Sequence, residues 1–306
     1  MINFRYHLVS LTAVFLALAI GLVLGTAALN GPASDFLQDQ VSSLREQNDT
    51  IRKSLEQLQS QLDQEEEFAK QIAPTALAGK LTDKPVLLLT VAGADEKDVQ
   101  GAMEMLALTG AKVTGQLDLT DNFINPEKRD ELLDLVKQLL PDHVGNLPNN
   151  VNGVETASAL LGAVLMAGGP EVSPEEQKMV LSGFTTGQML LGKDTFNGTR
   201  AAAVLIIAPR PYTDSQATLR NGYVATIAAQ FDKYGSALLA MPVAGGAVTI
   251  VRDDPALNLS LSTVDNISTP QGQVAACLGL ASDLAGKPGD WGSGAGAEST
   301  VPVPQA

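Results

Sequence analysis

The spacing of hydrophobic and polar positions divides the chain into stretches of different period. No charged residue occurs between Arg5 and Asp35. Residues 8–29, LVSLTAVFLALAIGLVLGTAAL, form an uncharged run of 22 positions. As a helix that run is roughly 33 Å long, enough to cross the hydrocarbon core of a bilayer. A cleavable signal peptide is the competing reading, since Gly25, Thr26, Ala27 and Ala28 are small. The apolar region of such a peptide is ordinarily about 7–15 residues behind a basic segment, so a longer run behind Arg5 alone fits a retained anchor better. Arg5 precedes the span, and Asp35 and Asp39 follow it. The positive-inside rule then puts the N-terminus in the cytoplasm and the bulk of the chain outside. Gly21 and Gly25 form a G-x-x-x-G, a spacing of small residues that lets two membrane helices approach closely.

From residue 35 the period changes. Leu37, Val41, Leu44, Ile51, Leu55, Leu58 and Leu62 recur at alternating steps of four and three, apart from one polar position. With Val41 at heptad position a, Asn48, Leu55, Leu62 and Ala69 also fall at a, and Leu37, Leu44, Ile51, Leu58 and Glu65 fall at d. No Gly or Pro lies between Pro32 and Pro74. This pattern predicts a coiled-coil stalk of roughly 54 Å. Asn48 is the residue type that fixes register and favours a parallel dimer, and Glu65 at d predicts that the seam loosens before Ile72. Gln40, Gln47, Ser54 and Gln61 at g face e positions that include Arg45 and Arg52. No complementary ion pairs result, so partner choice is weakly encoded. A long amphipathic helix folded against its own domain is the alternative.

Pro74 should end the helix, with residues 74–84 as a linker. Beyond it, strand-like and helix-like stretches alternate. Residues 85–91, 112–119, 201–208, 237–241 and 247–251 read as strands. Residues 95–109, 126–140, 156–167, 174–191, 215–234 and 271–285 read as helices. The alternation predicts a Rossmann-like α/β domain with a mainly parallel sheet over 85–286. Residues 287–306, rich in Gly, Ala, Ser and Pro, read as a disordered tail. The expected layout is therefore an α/β fold behind a transmembrane anchor (1–34), a parallel coiled coil (35–73) and a linker.

Composition narrows the chemistry. The chain of 306 residues has 34 acids against 20 bases, a formal charge of −14, one cysteine and two histidines. The acidic balance argues against nucleic acid as a partner. A lone Cys277 can make no internal disulfide and no Cys-rich metal framework. It lies in an apolar helical stretch and reads as core. His143 reads as a solvated loop residue. Soft ligands suit Cu(I), but the seven methionines are scattered, and Met103 and Met105 point to different sides of their helix. Gly187 to Lys193, GQMLLGK, starts like a phosphate-binding loop, but Asp194 stands where a Ser or Thr hydroxyl should reach magnesium. The preceding stretch also reads as helix. The run GSGAG at 292–296 sits in the tail and reflects composition. No catalytic residue, cofactor or metal ligand emerges, and the expectation is a protein that is not an enzyme. At the carboxyl ends of the strands, where open α/β sheets bind ligands, stand Arg210, Tyr212, Arg252, Asp253 and Asp254. Arg210, Arg252 and Asp253 are the candidates for a small polar or anionic ligand. Surface loops braced by Pro209, Pro211 and Pro255 are the alternative.

The opening MINFRYHLVSLTAVFLALAIGLVLG, with its Phe4-Arg5-Tyr6-His7 start, resembles an actinobacterial envelope family, the mycobacterial copper transport protein B family. Its members are also called SteB in corynebacterial cell division. The resemblance extends over anchor, stalk, α/β domain and tail. It implies one of two roles. The first is a septal scaffold that pairs with a SteA-like membrane protein and controls peptidoglycan hydrolases. The second is copper efflux, with a pore in the outer mycolate membrane. The short, uniformly apolar strands do not alternate as a membrane barrel requires. A channel on that reading would be made of assembled N-terminal spans. The features above favour the scaffold: a single-pass protein of the inner membrane, in contact with lipid through its N-terminal helix. Through the coiled coil it would form a homodimer or hetero-oligomer.

Overall fold

The computed structural model describes residues 4–29, 32–145, 147–148, 152–191 and 195–302. It divides the chain into two compact units, residues 1–65 and 66–306.

The first unit is helical. Helix α1 is Phe4–Leu29. Its 24-residue stretch Phe4–Ala27 is long and apolar enough to cross a membrane. The hydroxyl of Thr26 donates to the carbonyl of Leu22, and that of Thr12 to Leu8, so these polar groups are satisfied within the helix. Helix α2 is Pro32–Leu77. Pro74 does not end it, contrary to the sequence reading. Ala73 and Leu77 are fully buried, and their burial holds the helix through the proline.

The second unit is an α/β body around one six-stranded parallel sheet, in the order β2-β1-β3-β4-β5-β6. The strands are β1 (Pro85–Thr90), β2 (Lys112–Asp118), β3 (Ala203–Ile207), β4 (Ser236–Ala240), β5 (Ser262–Val264) and β6 (Asp290–Trp291). Helix α3 (Glu96–Leu108) follows β1, and Asp95 caps it by accepting from the Lys97 amide. Helices α4 (Arg129–Leu139), α5 (Gly153–Leu165) and α6 (Pro174–Thr186) lie between β2 and β3. Helices α7 (Ala217–Asp232), α8 (Gly246–Asp253) and α9 (Pro270–Leu284) complete the body. A short 3-10 turn, Pro126–Lys128, precedes α4, so the expected helix starts three residues late.

Alternate residues of the central strands feed opposite faces. Leu87, Leu89, Val204, Ile206 and Leu239 join α4 to α8 in one core. Val86, Leu88, Leu205, Ile207 and Leu238 join α3, α9, Ala73 and Leu77 in the other. A sheet covered on both faces needs continuous apolar strands, as β1 and β3 show. Residues 74–84 are therefore no free linker: Leu81 is buried, and its amide donates to Thr109.

Two further expectations are corrected. Residues 247–251 form helix α8 and not a strand. Their β-branched composition suits a strand. However, Ala247, Val248 and Val251 face the core while Thr249 and Ile250 face out, which is helical spacing. The expected disordered tail supplies β6, and Trp291 is 4% exposed. The backbone of residue 298 donates to Asp290, and that of residue 292 to Ser299, which covers the sheet edge. Residues 303–306 of that tail, and 192–194 of the P-loop-like run, lie outside the described residues.

Candidate functional site

The strand order reverses between β1 and β3, where α/β sheets open a crevice at their carboxyl ends. Here the crevice is spanned from within. The hydroxyl of Tyr212, in the loop after β3, donates to the carbonyl of Ala92 in the loop after β1, at 2.8 Å. Asn221 on α7 holds the Tyr212 backbone twice, accepting from its amide and donating to its carbonyl, each at 3.1 Å. The Arg220 guanidinium stacks 4.0 Å above the Tyr212 ring. It also pairs with Asp121 and Asp214. Burial is the main reason that the Tyr212 phenol is pushed up to about 12, with Arg220 opposing it. Arg220 and Asn221 escaped the sequence reading, because nothing in a helical stretch marks a side chain that reaches a distant loop.

The candidates Arg210, Arg252 and Asp253 stand in different surroundings, one buried and two exposed. Arg252 lies on α8, and its side chain is 3% exposed. Its Nη1 donates to Asp265 Oδ2 and to the carbonyl of Ala295, both at 2.9 Å. Nη2 donates to the carbonyl of Trp291 at 3.0 Å, and Nε to Thr263 Oγ1 at 2.8 Å. Asp290 lies 3.6 Å from Nε, and its carboxyl is pushed up by burial despite Thr263 and Arg252. The guanidinium is thus consumed in joining α8 to β5, β6 and the loop after β6. Asp253 is exposed at the end of α8. Arg210 is exposed too, and its charge reaches Asp98 on α3, whose carboxyl burial and Asp95 push up.

The glycine-rich run 292–296 also has a structural role. The backbone amides of Ser293 and Gly294 donate to Asp265 Oδ1 at 2.7 and 3.0 Å. Gly292 has φ of +134°, and a Cβ there would sit 2.4 Å from the Asp265 carboxyl. A cradle of backbone amides is a usual anion site. In this chain its anion is Asp265.

Donors for a soft metal ion are dispersed. Cys277 is fully buried, and burial pushes its thiol up to about 12. Met103 on α3 and Met179 on α6 are exposed, but their helices cover opposite faces of the sheet. His143 faces Glu176 at 3.6 Å. Among the described residues no group of three or more His, Cys, Asp or Glu side chains could hold a metal ion. The P-loop-like run begins at Gly187, which caps helix α6, so no strand precedes it as a phosphate loop requires. A surface cleft of about 760 Å³, lined by Lys80, Leu278, Lys287, Trp291 and Glu298, contains none of the residues chosen from sequence.

The remaining exposed chemistry is on the helices of the first unit. Leu37, Val41, Leu44, Ile51, Leu55, Leu58 and Leu62 are between 46% and 62% exposed. They line one stripe of α2, with Asn48 among them. Glu65 takes the next d position, and Ala69, the next a position, is 6% exposed and belongs to the second unit, so the unbroken apolar row ends at Leu62. At Gly21 and Gly25 on α1 no atom outside the local helix backbone lies within 4 Å of where a Cβ would sit.

Comparison with known proteins covers the whole chain. A family model described as "Copper transport outer membrane protein, MctB" matches residues 1–302. A protein of Mycobacterium leprae named "Copper transporter MctB" is 29% identical over 321 aligned positions, covering 100% of both chains. Proteins of the same name from Mycobacterium bovis and Mycobacterium tuberculosis are 28% identical over 314 positions, covering 98% of this chain and 99% of theirs. The family model spans the apolar N-terminal helix, the long second helix and the α/β body alike, and the chain belongs to the MctB family.

Proposed function

We propose that this protein is a membrane-anchored envelope component of copper transport that acts through assembly. The observation that carries this reading is the pairing of a full-length family match with dispersed donors. The relatives are named copper transporters, yet the described methionines, histidines and cysteine are scattered or buried. Copper would then be the cargo of an assembly to which this chain contributes. In that role α1 is a single-pass anchor, with the N-terminus cytoplasmic and the α/β body extracytoplasmic. Arg5 before the span and the acids after it support that orientation. The inner membrane suits a lone apolar helix. Since the six described strands form one open sheet, a pore in an outer mycolate membrane would have to come from assembled α1 helices. The stripe on α2 is the assembly surface, a coiled-coil seam. The doubly-wound order β2-β1-β3-β4-β5, the flavodoxin-like variant of such sheets, supports the Rossmann-like reading of the body in its coarse form.

Deletion of the gene in its native host tests this. Expected are raised copper sensitivity and raised cell-associated copper, restored by the wild-type chain but not by a Leu55→Glu/Leu58→Glu chain. A triple variant lacking Met103, Met179 and His143 should restore resistance. Its failure would show direct copper handling, and unchanged copper content on deletion would sink the transport role.

The exposed stripe also supports a second reading, a septal scaffold of the SteB kind. In it α2 engages a SteA-like membrane protein and a wall-hydrolase system. Deletion should then leave daughter cells attached in copper-depleted medium. Normal separation there would rule this reading out.

A further inference from the structure

The charges around the α2 stripe bear on what can cover it. With Val41 at a, Asp39 and Glu46 fall at f, and Asp49, Glu56 and Asp63 fall at b. The acids therefore stand away from the seam. The positions that flank the seam are Gln40, Gln47, Ser54 and Gln61 at g, and Arg45, Arg52 and Gln59 at e. Two copies side by side in register place Arg45 beside Gln40 and Arg52 beside Gln47. No like charges then meet across the seam, although the chain as a whole carries −14.

Asn48 adds information about register. It interrupts an a row of Val41, Leu55 and Leu62. An amide buried between two helices needs a polar group at the same level. A parallel second copy in register supplies one, its own Asn48. A copy shifted by one heptad sets Asn48 against Val41 or Leu55. Helix α1 precedes α2 in every copy, so copies anchored in one membrane run the same way. In α1 the open surface at Gly21 and Gly25 allows the same two chains to approach closely.

We propose that α2 pairs with α2 of a second copy of this chain as a parallel, in-register coiled coil over residues 37–62, with Asn48 opposite Asn48. This rests on the reading of α2 as the assembly surface and names its occupant. The seam ends where Glu65 takes a d position and Ala69 turns into the second unit.

Site-directed disulfide trapping of the full-length chain in native membranes tests it. Cys277, the only cysteine, is fully buried, so the wild-type chain is a silent background. Leu44→Cys, Ile51→Cys and Leu55→Cys chains should each form covalent dimers of twice the chain mass on mild oxidation. Glu46→Cys and Lys53→Cys, at f, should give at most about a tenth of that yield, since their Cβ atoms lie beyond disulfide reach. Differently tagged Leu44→Cys and Ile51→Cys chains, expressed together, should give no mixed dimer, because a mixed dimer requires a one-heptad shift. Trp291 emission checks that the second unit is folded in every variant. Equal yields at seam and f positions, predominant mixed dimers, or no dimer at any seam position would overturn the proposal. A Leu55→Cys adduct with a different protein and no self-dimer would also overturn it, while leaving α2 as the assembly surface of the transport reading.

Discussion

Replacing Arg252 by Met tests whether this residue is a structural joint. The side chain is 3% exposed, and Asp265 and Asp290 are 2% exposed. Met keeps the apolar stem but removes the donors of four hydrogen bonds and leaves two carboxylates buried without their cation. Removing one partner of a buried ion pair costs roughly 3–5 kcal/mol, because the remaining charge is uncompensated. For a domain of this size each kcal/mol lowers Tm by about 2–4 °C, so the expected loss is roughly 6–20 °C. Arg252→Lys, which keeps the charge but loses the planar fork, should lose less. The deficit should also depend on pH. Burial already raises the Asp290 carboxyl, and Arg252 opposes that rise. Without Arg252 the folded chain holds the Asp290 proton more tightly than the unfolded chain does. The variant then gains stability relative to wild type as pH falls toward the carboxylate range. Trp291, the only tryptophan, accepts from Arg252 through its own carbonyl and reports on this sheet edge. Thermal and urea unfolding of the detergent-solubilised chain, followed by Trp291 emission at pH 5 and pH 7.5, measures the effect. An Arg252→Met midpoint equal to wild type at pH 7.5 would refute the assignment and reopen Arg252 as a ligand residue.

Three other outcomes are expected. Cys277, with its thiol pushed up to about 12 by burial, should resist thiol reagents at pH 8 in the native chain and react in denaturant; native labelling at the rate of a free thiol would contradict its placement. Asp283 is pushed up to about 6, first by burial, while Ser262 and Ser236 donate to it. Its folded-state pKa exceeds the unfolded one, so wild-type stability should rise as pH falls from 7 through about 6. Asp283→Asn should lose that component of the slope, and parallel Tm-against-pH curves would count against it. Tyr212→Phe removes the bond to the Ala92 carbonyl and should cost roughly 1–2 kcal/mol in urea unfolding, with no change expected at all if that crevice is open to solvent.

Legibility in the sequence followed the strength of periodic patterning. The apolar helix α1 and the long helix α2 were legible from uncharged length and from steps of four and three, because those signals are set by the chain itself. Strands β1 and β3 were legible because both faces are covered, which forces runs such as Val86 to Leu89. Strand β5 was not, since Ser262 and Thr263 are buried with hydroxyls bonded to Asp283 and Asp290. No local pattern distinguishes a bonded buried serine from an exposed one. Strand β6 has two residues and sits in a stretch that composition marks as tail. Gly292 and Gly294 suggest disorder until Asp265 is seen against their backbone. Arg252 was found as a charge near strand ends but assigned outward. Its partners Asp265 and Asp290 are 13 and 38 positions away by number, and only the sheet brings them to it.

Several positions at the carboxyl end of this sheet are occupied by the chain's own groups. Tyr212 spans the point where the strand order reverses. Arg220 is occupied by Asp121, Asp214 and the Tyr212 ring. The amide cradle of residues 293 and 294 holds Asp265. Groups used in this way tie the loops to the sheet and spend the charges of Arg220, Arg252 and Asp265 within the chain. The same holds for soft donors, since Cys277 is sealed in the core and the exposed methionines face opposite ways. The largest uncommitted apolar surfaces lie on the helices of the first unit: the α2 stripe, and the open glycine surface of α1. Exposed leucines at a and d cost solvation unless another helix covers them. Under the proposed role, the specificity of this protein therefore lies in the helix it pairs with, and the α/β body is the load that the pair positions in the envelope.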